Sequence, residues 1–338
     1  MILRSCSYSR AGLLGNPSDG YFGKTISFSF ANFCSKVLIY ESPEICLVPG
    51  SEDDGNFDNF QDMIHEIERF GYYGGIRVVK ATAKVFYHYC QSRGIELPER
   101  NFTLRYQSNI PRLVGLSGSS GISTAVMRAL IAFYEVGERI PLVMVPTLCW
   151  RAEQEELQIT CGMQDRVIQI YNGLMYMDFE KEPFLANEHG DYRRLDPSLL
   201  PNIYIAYDPR RAEFSGTYHR KLRALFEQEQ PDIISAMSEF ADLARQGYEA
   251  LTQGRAEKLP ALINANFDLR NRVFRVSPEN KRMVDYARKT GASAKFAGSG
   301  GAIVGSYESE QMYEALKTSL AEIGCELIKP DIAGTLSP

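Results

Sequence analysis

The sequence predicts an α+β chain, and three observations carry that expectation. Runs with strand-like alternation and runs with helical spacing follow one another in irregular order, unlike the strict alternation of a doubly wound parallel sheet. Two loops rich in glycine and serine, at 111–121 and 295–301, each adjoin a regular element. The chain has 338 residues, 44% of them apolar, which suffices for one large or two ordinary domains with a sizeable core.

From the amino terminus, Ile2 to Ser9 reads as a strand that runs into a glycine-punctuated turn, Ala11 to Gly20. Strands are expected at Thr25 to Phe30 and Lys36 to Tyr40. Helical spacing at Asn59 to Arg69 is broken by Gly71-Tyr-Tyr-Gly-Gly75 and resumes over Ile76 to Ser92, and Phe102 to Tyr106 alternates as a strand. An amphipathic run with Ile122, Val126, Leu130 and Phe133 on one face follows the first glycine loop. Then come a helix-like acidic run at Ala152 to Leu157, a turn at Cys161-Gly162, and strands at Leu174 to Phe179 and Asn202 to Tyr207. Residues 212 to 272 have few breakers and read as long helix. Two late strands, Ala302 to Tyr307 and Cys325 to Ile328, flank a helix near Glu310 to Leu320. Gly190 and nearby prolines put the domain boundary in Asn187 to Pro201, dividing the chain into 1–186 and 187–338.

Charge and cysteine use narrow the function classes. Lys and Arg number 37 against 42 Asp and Glu, a net charge of −5, so the chain lacks the long-range attraction that nucleic acid or an anionic membrane would need. Seven scattered cysteines without a C-x-x-C pair, and four histidines, indicate neither a disulfide framework nor a zinc site. The opening residues have no apolar core of signal-peptide length, and the most apolar stretch, Ile140 to Trp150, is broken by Pro141 and Pro146. The expectation is a cytoplasmic protein with no membrane span and no nucleic-acid partner.

Three segments carry chemistry. Pro111-Arg-Leu-Val-Gly-Leu-Ser-Gly-Ser-Ser-Gly121 opens a helix with small residues, leaving backbone N–H groups and the positive end of the helix dipole free to hold phosphate. It lacks the lysine and the order of a Walker A loop, and taken alone it is equally an ordinary capped turn. Lys295-Phe-Ala-Gly-Ser-Gly-Gly301 is weaker by itself, since glycine beside a strand often marks only a tight bend. Together the two loops can approach a nucleotide's phosphates from two sides. In the third segment, Glu153 to Asp165, a turn at Cys161-Gly162 lets Glu153 and Asp165 converge. Phosphoryl transfer uses one carboxylate on Mg²⁺ and another on the attacking hydroxyl. Glu155 and Glu156 read as a solvated helix face.

In this order the segments resemble the GHMP kinase superfamily, small-molecule kinases that include galactokinase, homoserine kinase and mevalonate kinase. Arg10-Ala-Gly-Leu-Leu-Gly-Asn-Pro-Ser-Asp19 is similar to its first motif, Pro111 to Gly121 to its phosphate loop, and Lys295 to Gly301 to its carboxy-terminal glycine motif. Within the superfamily the pattern is most similar to plant-type glucuronokinases, through GNPSD at 15–19, GYYGG at 71–75, NIPRxxGLSGSSG at 109–121, GMQDRV at 162–167 and NFDLR at 266–270. The resemblance implies a two-domain GHMP kinase fold with the active site in the interdomain cleft. It implies ATP as phosphoryl donor, with Gly115, Ser117, Gly118, Ser119, Ser120, Gly121, Gly298, Ser299 and Gly300 on the nucleotide. Ser120 and Glu153 match the Mg²⁺ ligands, Asp165 the catalytic carboxylate, and Arg10 the basic residue between that carboxylate and the γ-phosphate. Asp19 matches the residue that binds sugar hydroxyls, and Asn16, Tyr72, Tyr73, Arg77 and Arg166 complete the expected substrate set. Two departures stand out: Asn16-Pro17 replaces the usual Glu-His pair, and Ser117 lengthens the phosphate loop by one residue.

The activity so implied is ATP-dependent phosphorylation of D-glucuronate at its anomeric hydroxyl. The alternatives are the same chemistry on another sugar or uronate such as galacturonate, or a non-catalytic sensor of sugar and nucleotide. A sensor has no need of Arg10, Ser120, Glu153 and Asp165 together, and an assay over neutral sugars and uronates separates the other two. A uronate carboxylate in a partly desolvated cleft must meet a cation or several N–H donors. The expected cations are Lys24, Arg77, Arg166 and Arg270, with Arg166 and Arg77 foremost; Tyr72 and Tyr73 are the uncharged option.

Overall fold

The computed structural model describes residues 1–49, 74–210, 222–274 and 276–332. The expected helix Asn59 to Arg69, together with Tyr72 and Tyr73, lies outside the described residues. Two sheets organise the described residues. The first has six strands: β1 (Ile2–Leu14) pairs β2 (Lys24–Ser42), and β2 lies within the order β3 (Cys46–Val48), β4 (Asn101–Ser108), β2, β5 (Leu174–Asp178), β6 (Asp191–Leu195). The second has four, in the order β10 (Glu326–Ile328), β7 (Ile203–Tyr207), β9 (Ala302–Ser306), β8 (Lys295–Phe296).

Several elements are longer or later than their local pattern suggests. β1 continues past Ser9 to Leu14 because Ala11, Leu13 and Leu14 are fully buried and Ala11, Gly12 and Leu14 pair with β2, which turns part of the expected 11–20 loop into strand. The two strands expected at 25–30 and 36–40 are one 19-residue strand, long enough to pair β4 along one half and β5 along the other. Residue 186 lies inside a helix, Lys181–Asn187, and β6 still pairs β5 in the first sheet, so the change of sheet occurs between Leu195 and Ile203, overlapping the expected boundary segment Asn187 to Pro201. The long helical stretch is divided at Pro231 and again around Gly254, giving helical residues 222–227 followed by Pro231–Thr252 and Leu259–Val273.

Three hydrophobic clusters hold these layers. Helices α1 (Gly75–Ser92) and α2 (Gly118–Phe133) cover the β2–β4 face through Val78, Phe86, Val126 and Phe133. A second cluster runs from Leu13, Ile26 and Phe28 of the first sheet to Ile205 and Val304 of the second and Ile263 of the helix between them. The two sheets therefore share one core, each such large side chain contributing about 1.5–3 kcal/mol by burial. A third cluster covers the outer face of the second sheet with helices Pro278–Arg288 and Glu310–Ala321. No helix among the described residues is long and apolar enough to cross a membrane.

Candidate active site

A cleft opens where the two sheets meet, with about 1480 Å³ of empty space including its mouth. One wall is the phosphate loop. Leu113, Gly115 and Ser117 have left-handed backbone, φ 56°, 76° and 66°, alternating with ordinary backbone at Val114 and Leu116. Such alternation turns successive N–H groups to one side and forms a concave anion site. Helix α2 starts directly behind it at Gly118, so the positive end of its dipole reinforces the concavity.

The carboxy-terminal glycine motif lies directly against this loop, backbone on backbone. A Cβ on Gly298 would stand 2.4 Å from the Gly115 carbonyl oxygen, and one on Gly115 would stand 2.6 Å from that of Gly300, so neither position admits a side chain. The NFDLR segment holds the motif in place. Arg270, on the helix Leu259–Val273, donates to the carbonyls of Gly298 (2.9 Å) and Ser299 (2.6 Å), while Asn266 accepts from the Gly15 N–H at 2.7 Å. Lys295 is buried and donates to the carbonyls of Gly12 and Phe296 and to Asn16 Oδ1, at 2.6, 2.8 and 2.5 Å. Burial, with Arg270 and Arg10 close by, pushes its pKa well below the usual lysine range. Asn16, joined to Pro17 by a cis peptide, is thus tied across the cleft to the second sheet.

The centre of the site is an ion pair between β1 and helix α4, which we define as Gln164–Tyr171; α3 is Val145–Arg151. Arg10 meets Asp165 through Nε (2.6 Å to Oδ1) and Nη2 (2.7 Å to Oδ2), and Ser117 donates to the same carboxylate at 2.8 Å. Arg10 Nη1 donates to the carbonyls of Gly115 and Ala297, so one guanidinium joins both glycine loops and the carboxylate. Burial alone would raise the Asp165 pKa, but the charge and hydrogen bonds of Arg10 outweigh it and hold the carboxyl at about 2. Asp19 behaves oppositely. It lies on the Ser18–Tyr21 turn after β1, where burial and the neighbouring Asp165 charge push it up to about 7 despite the Gln164 N–H that it accepts at 3.1 Å.

Glu153 sits on a π-helical turn, Ala152–Glu156, that continues α3, and such turns often carry functional side chains. Its Oε2 accepts from Arg166 Nε at 3.0 Å and also from Nη2, whereas its Oε1 is buried with no hydrogen-bond partner among the described residues. Arg166 is 3% exposed and spends its remaining nitrogen on the Gly162 carbonyl. It lines the cleft as the counter-charge of Glu153, not as an unpaired cation.

Of the other expected residues, Arg10, Asn16, Asp19, Gly115, Ser117, Gly118, Ser119, Glu153, Asp165, Gly298 and Ser299 line the cleft together. Ser120, Gly121 and Gly300 lie just behind its surface; the Ser120 hydroxyl faces the Ser117 carbonyl at 3.3 Å. Arg77 is exposed on the first turn of α1 and does not line the cleft, a correction, since Val78 and Val79 take the inward positions of that turn. Lys24 is paired with Asp178, and Arg270 is used by the glycine motif. Gln164, Tyr21, Arg112 and Arg223 line the site without having been expected. Gln164 adjoins Asp165 in GMQDRV and Tyr21 follows Asp19 by two residues, so adjacency was a signal; Arg223 stands in a segment without any motif.

The comparisons with known proteins agree with this geometry. Residues 77–173 match the model of the GHMP kinases N terminal domain and residues 248–322 that of the GHMP kinases C terminal domain. The chain is 43% identical over 303 residues to probable glucuronokinase 2 of Arabidopsis thaliana, covering 88% of this chain and 82% of that one. It is 41% identical over 302 residues to glucuronokinase 1 of the same plant, covering 88% and 83%. In fold it is similar to Lactococcus lactis galactokinase solved with galactose, with a TM-score of 0.76, 16% identity and coverage of 98% and 93%. Methanococcus jannaschii mevalonate kinase matches with a TM-score of 0.69, 19% identity and coverage of 97% and 96%. With both family domains matched in order along the chain, and relatives above 40% identity over most of its length, the chain belongs to the GHMP kinase family, among its glucuronokinases, and is a sugar kinase.

Proposed function

We propose that this enzyme transfers the γ-phosphoryl group of ATP to the anomeric hydroxyl of D-glucuronate, giving glucuronate 1-phosphate and ADP. The observation that carries the reading is the 41–43% identity, over 88% of the chain, to two glucuronokinases. The geometry supplies a means for each step. The nest at 113–117 and the amino terminus of α2 hold the phosphates, and the glycine motif closes over them. Arg10 stands between the loops and Asp165, where it can stabilise charge on the transferring group while keeping the carboxylate ionised. Phosphoryl transfer through a loose transition state requires positioning and charge stabilisation more than early deprotonation. A carboxylate near pKa 2 suits that demand: Asp165 orients the hydroxyl and takes its proton late. Asp19, in the same cleft and held by the Gln164 N–H and Nε2, supplies an acceptor for the sugar hydroxyls.

Mg²⁺ fits the residues present. The buried, unpartnered Oε1 of Glu153 offers a charged oxygen, the Ser120 hydroxyl offers a neutral one, and Mg²⁺ completes its shell with phosphates and water. When bound, the ion neutralises charge on the β- and γ-phosphates. Arg166 fixes Glu153 through the other oxygen and so aims the free one. An ADP-release assay over neutral sugars and uronic acids, with phosphorus NMR of the product, tests the whole reading. Preferential turnover of glucuronate to an anomeric phosphate is expected; preference for a neutral sugar or for another uronate, or phosphate at another position, would overturn it.

A further inference from the structure

Five arginines and three carboxylates, Asp19, Glu153 and Asp165, line the cleft among the described residues. Glu153 and Asp165 already face arginines and Asp19 is held neutral up to about 7, so recognition of an anionic sugar falls to a guanidinium that the protein has not already spent. Arg10 is committed to Asp165, Arg166 to Glu153, and Arg270 to two carbonyls of the glycine motif. Arg112 belongs to the phosphate end, immediately before the nest. Arg223 is placed differently. It lies on the helical residues 222–227, with its guanidinium 5.2 Å from the ring centre of Tyr21, and Phe226 from the same turn packs on that ring at 4.8 Å. Tyr21 and Asp19 share the short Ser18–Tyr21 turn, so this places Arg223 at the sugar end.

We propose that Arg223 binds the carboxylate of the substrate and so sets the preference for a uronate over a neutral sugar. The inference rests on the uronate reading given above. Its further support is an unsatisfied donor: Arg223 Nε is shielded from solvent with no hydrogen-bond partner, and no carboxylate among the described residues pairs with this side chain. A buried N–H without an acceptor is costly, and a guanidinium fork matches a carboxylate in two parallel bonds. The Tyr21 ring lies under the guanidinium, 5.2 Å from its carbon, and limits where it can swing, which pre-orients the fork at small entropic cost. One ligand carboxylate thus satisfies the orphaned Nε.

The test compares wild type with Arg223→Met and Arg223→Lys, measuring kcat/KM for D-glucuronate and D-glucose at saturating ATP, and the KM for ATP. Thermal midpoints of all three proteins check folding. Wild type must first prefer glucuronate; if it does not, the uronate reading fails, whatever the variants do. Given that preference, Arg223→Met should lower kcat/KM for glucuronate on the order of 10²-fold. Glucose turnover and the ATP KM should change less than about threefold, and Arg223→Lys should recover part of the loss by charge without the fork. A variant that retains the wild-type ratio of glucuronate to glucose activity overturns the assignment of Arg223 and leaves the uronate reading standing. Equal losses on both sugars, or a raised ATP KM, overturn it too, because they mark a structural or nucleotide role. Should Arg223→Met fail to fold, Arg223→Lys and Arg223→Gln read the same ratio.

Discussion

Replacing Asp19 with asparagine should change stability in a way that depends on pH. In the native protein burial and the Asp165 charge hold this carboxyl neutral up to about 7, whereas a free aspartate ionises near 3.8. Below 3.8 both states are protonated and the group takes nothing from stability. As pH rises from there, the unfolded chain ionises while the native protein holds its proton, so native stability is lost progressively until about pH 7 and then levels off. Each pH unit inside the window is worth about 1.4 kcal/mol, so the full cost approaches about 4 kcal/mol, with about 3 kcal/mol of it between pH 5 and pH 8. Asparagine cannot ionise and escapes this loss. It does bring an amide donor against the Gln164 N–H and Nε2 groups, both of which now donate to Asp19, and that adds a penalty independent of pH. The slope is therefore the quantity to read. Urea unfolding followed by the fluorescence of Trp150, the single tryptophan, should give a difference, variant minus wild type, that climbs with pH from 5 to 7 and flattens above. A difference that stays constant across this range, or that falls, would refute the argument that Asp19 is a buried acid repelled by Asp165.

Four further outcomes follow from the site. Asp165→Asn should cut turnover by about 10² to 10⁴ while ATP still binds in a calorimeter, and a rate near wild type would remove Asp165 from the chemistry. Glu153→Gln should raise the Mg²⁺ concentration needed for half-maximal rate more than Ser120→Ala does; it removes the charged oxygen and also leaves buried Arg166 without its counter-charge, so equal or reversed effects would mean that the ligands are wrongly assigned. Gly298→Ala must push apart two backbones now in contact, and a shift near 1 Å there should cost about 10² in kcat/KM for ATP; a silent variant would show the loops do not cooperate. Arg77→Met should leave uronate preference unchanged to within about twofold, because the side chain is exposed away from the cleft, and a selective loss on glucuronate would reinstate it.

What the sequence made legible was chemistry carried by short segments. A phosphate loop must be built from residues such as Gly115 and Gly298, whose lack of a side chain is visible one letter at a time, and Asp165 stands inside a phrase that turns and starts a helix. What stayed hidden was settled by distant partners. Nothing near Arg166 announces that Glu153, across a turn, takes up its charge, and nothing near Arg223 announces Tyr21. The same holds for the fold. Asp191–Leu195 reads as a charged connection because three of its five residues carry charge, and only its pairing with β5 makes it a strand of the first sheet. The helix Pro278–Arg288, rich in charge with few apolar positions, depends on Met283 and Val284 finding the second sheet.

Arg10 touches Ala297, a neighbour 287 positions away along the chain. At synthesis rates of roughly 5–20 residues per second, that contact waits about 15 to 60 s after Arg10 leaves the ribosome. Until then Arg10 and Asp165 can meet, yet the glycine motif that covers the phosphates does not exist. Ile332 arrives later still, closing a bridge to Phe30 of β2, and Asp331 accepts from the Ala31 N–H at 2.7 Å. A nascent chain therefore carries a half-built phosphate site until the glycine motif has been made. Catalytic competence waits until residues 295–332 are laid against β1 and β2, so an amino-terminal fragment that lacks them is expected to be inert as a kinase.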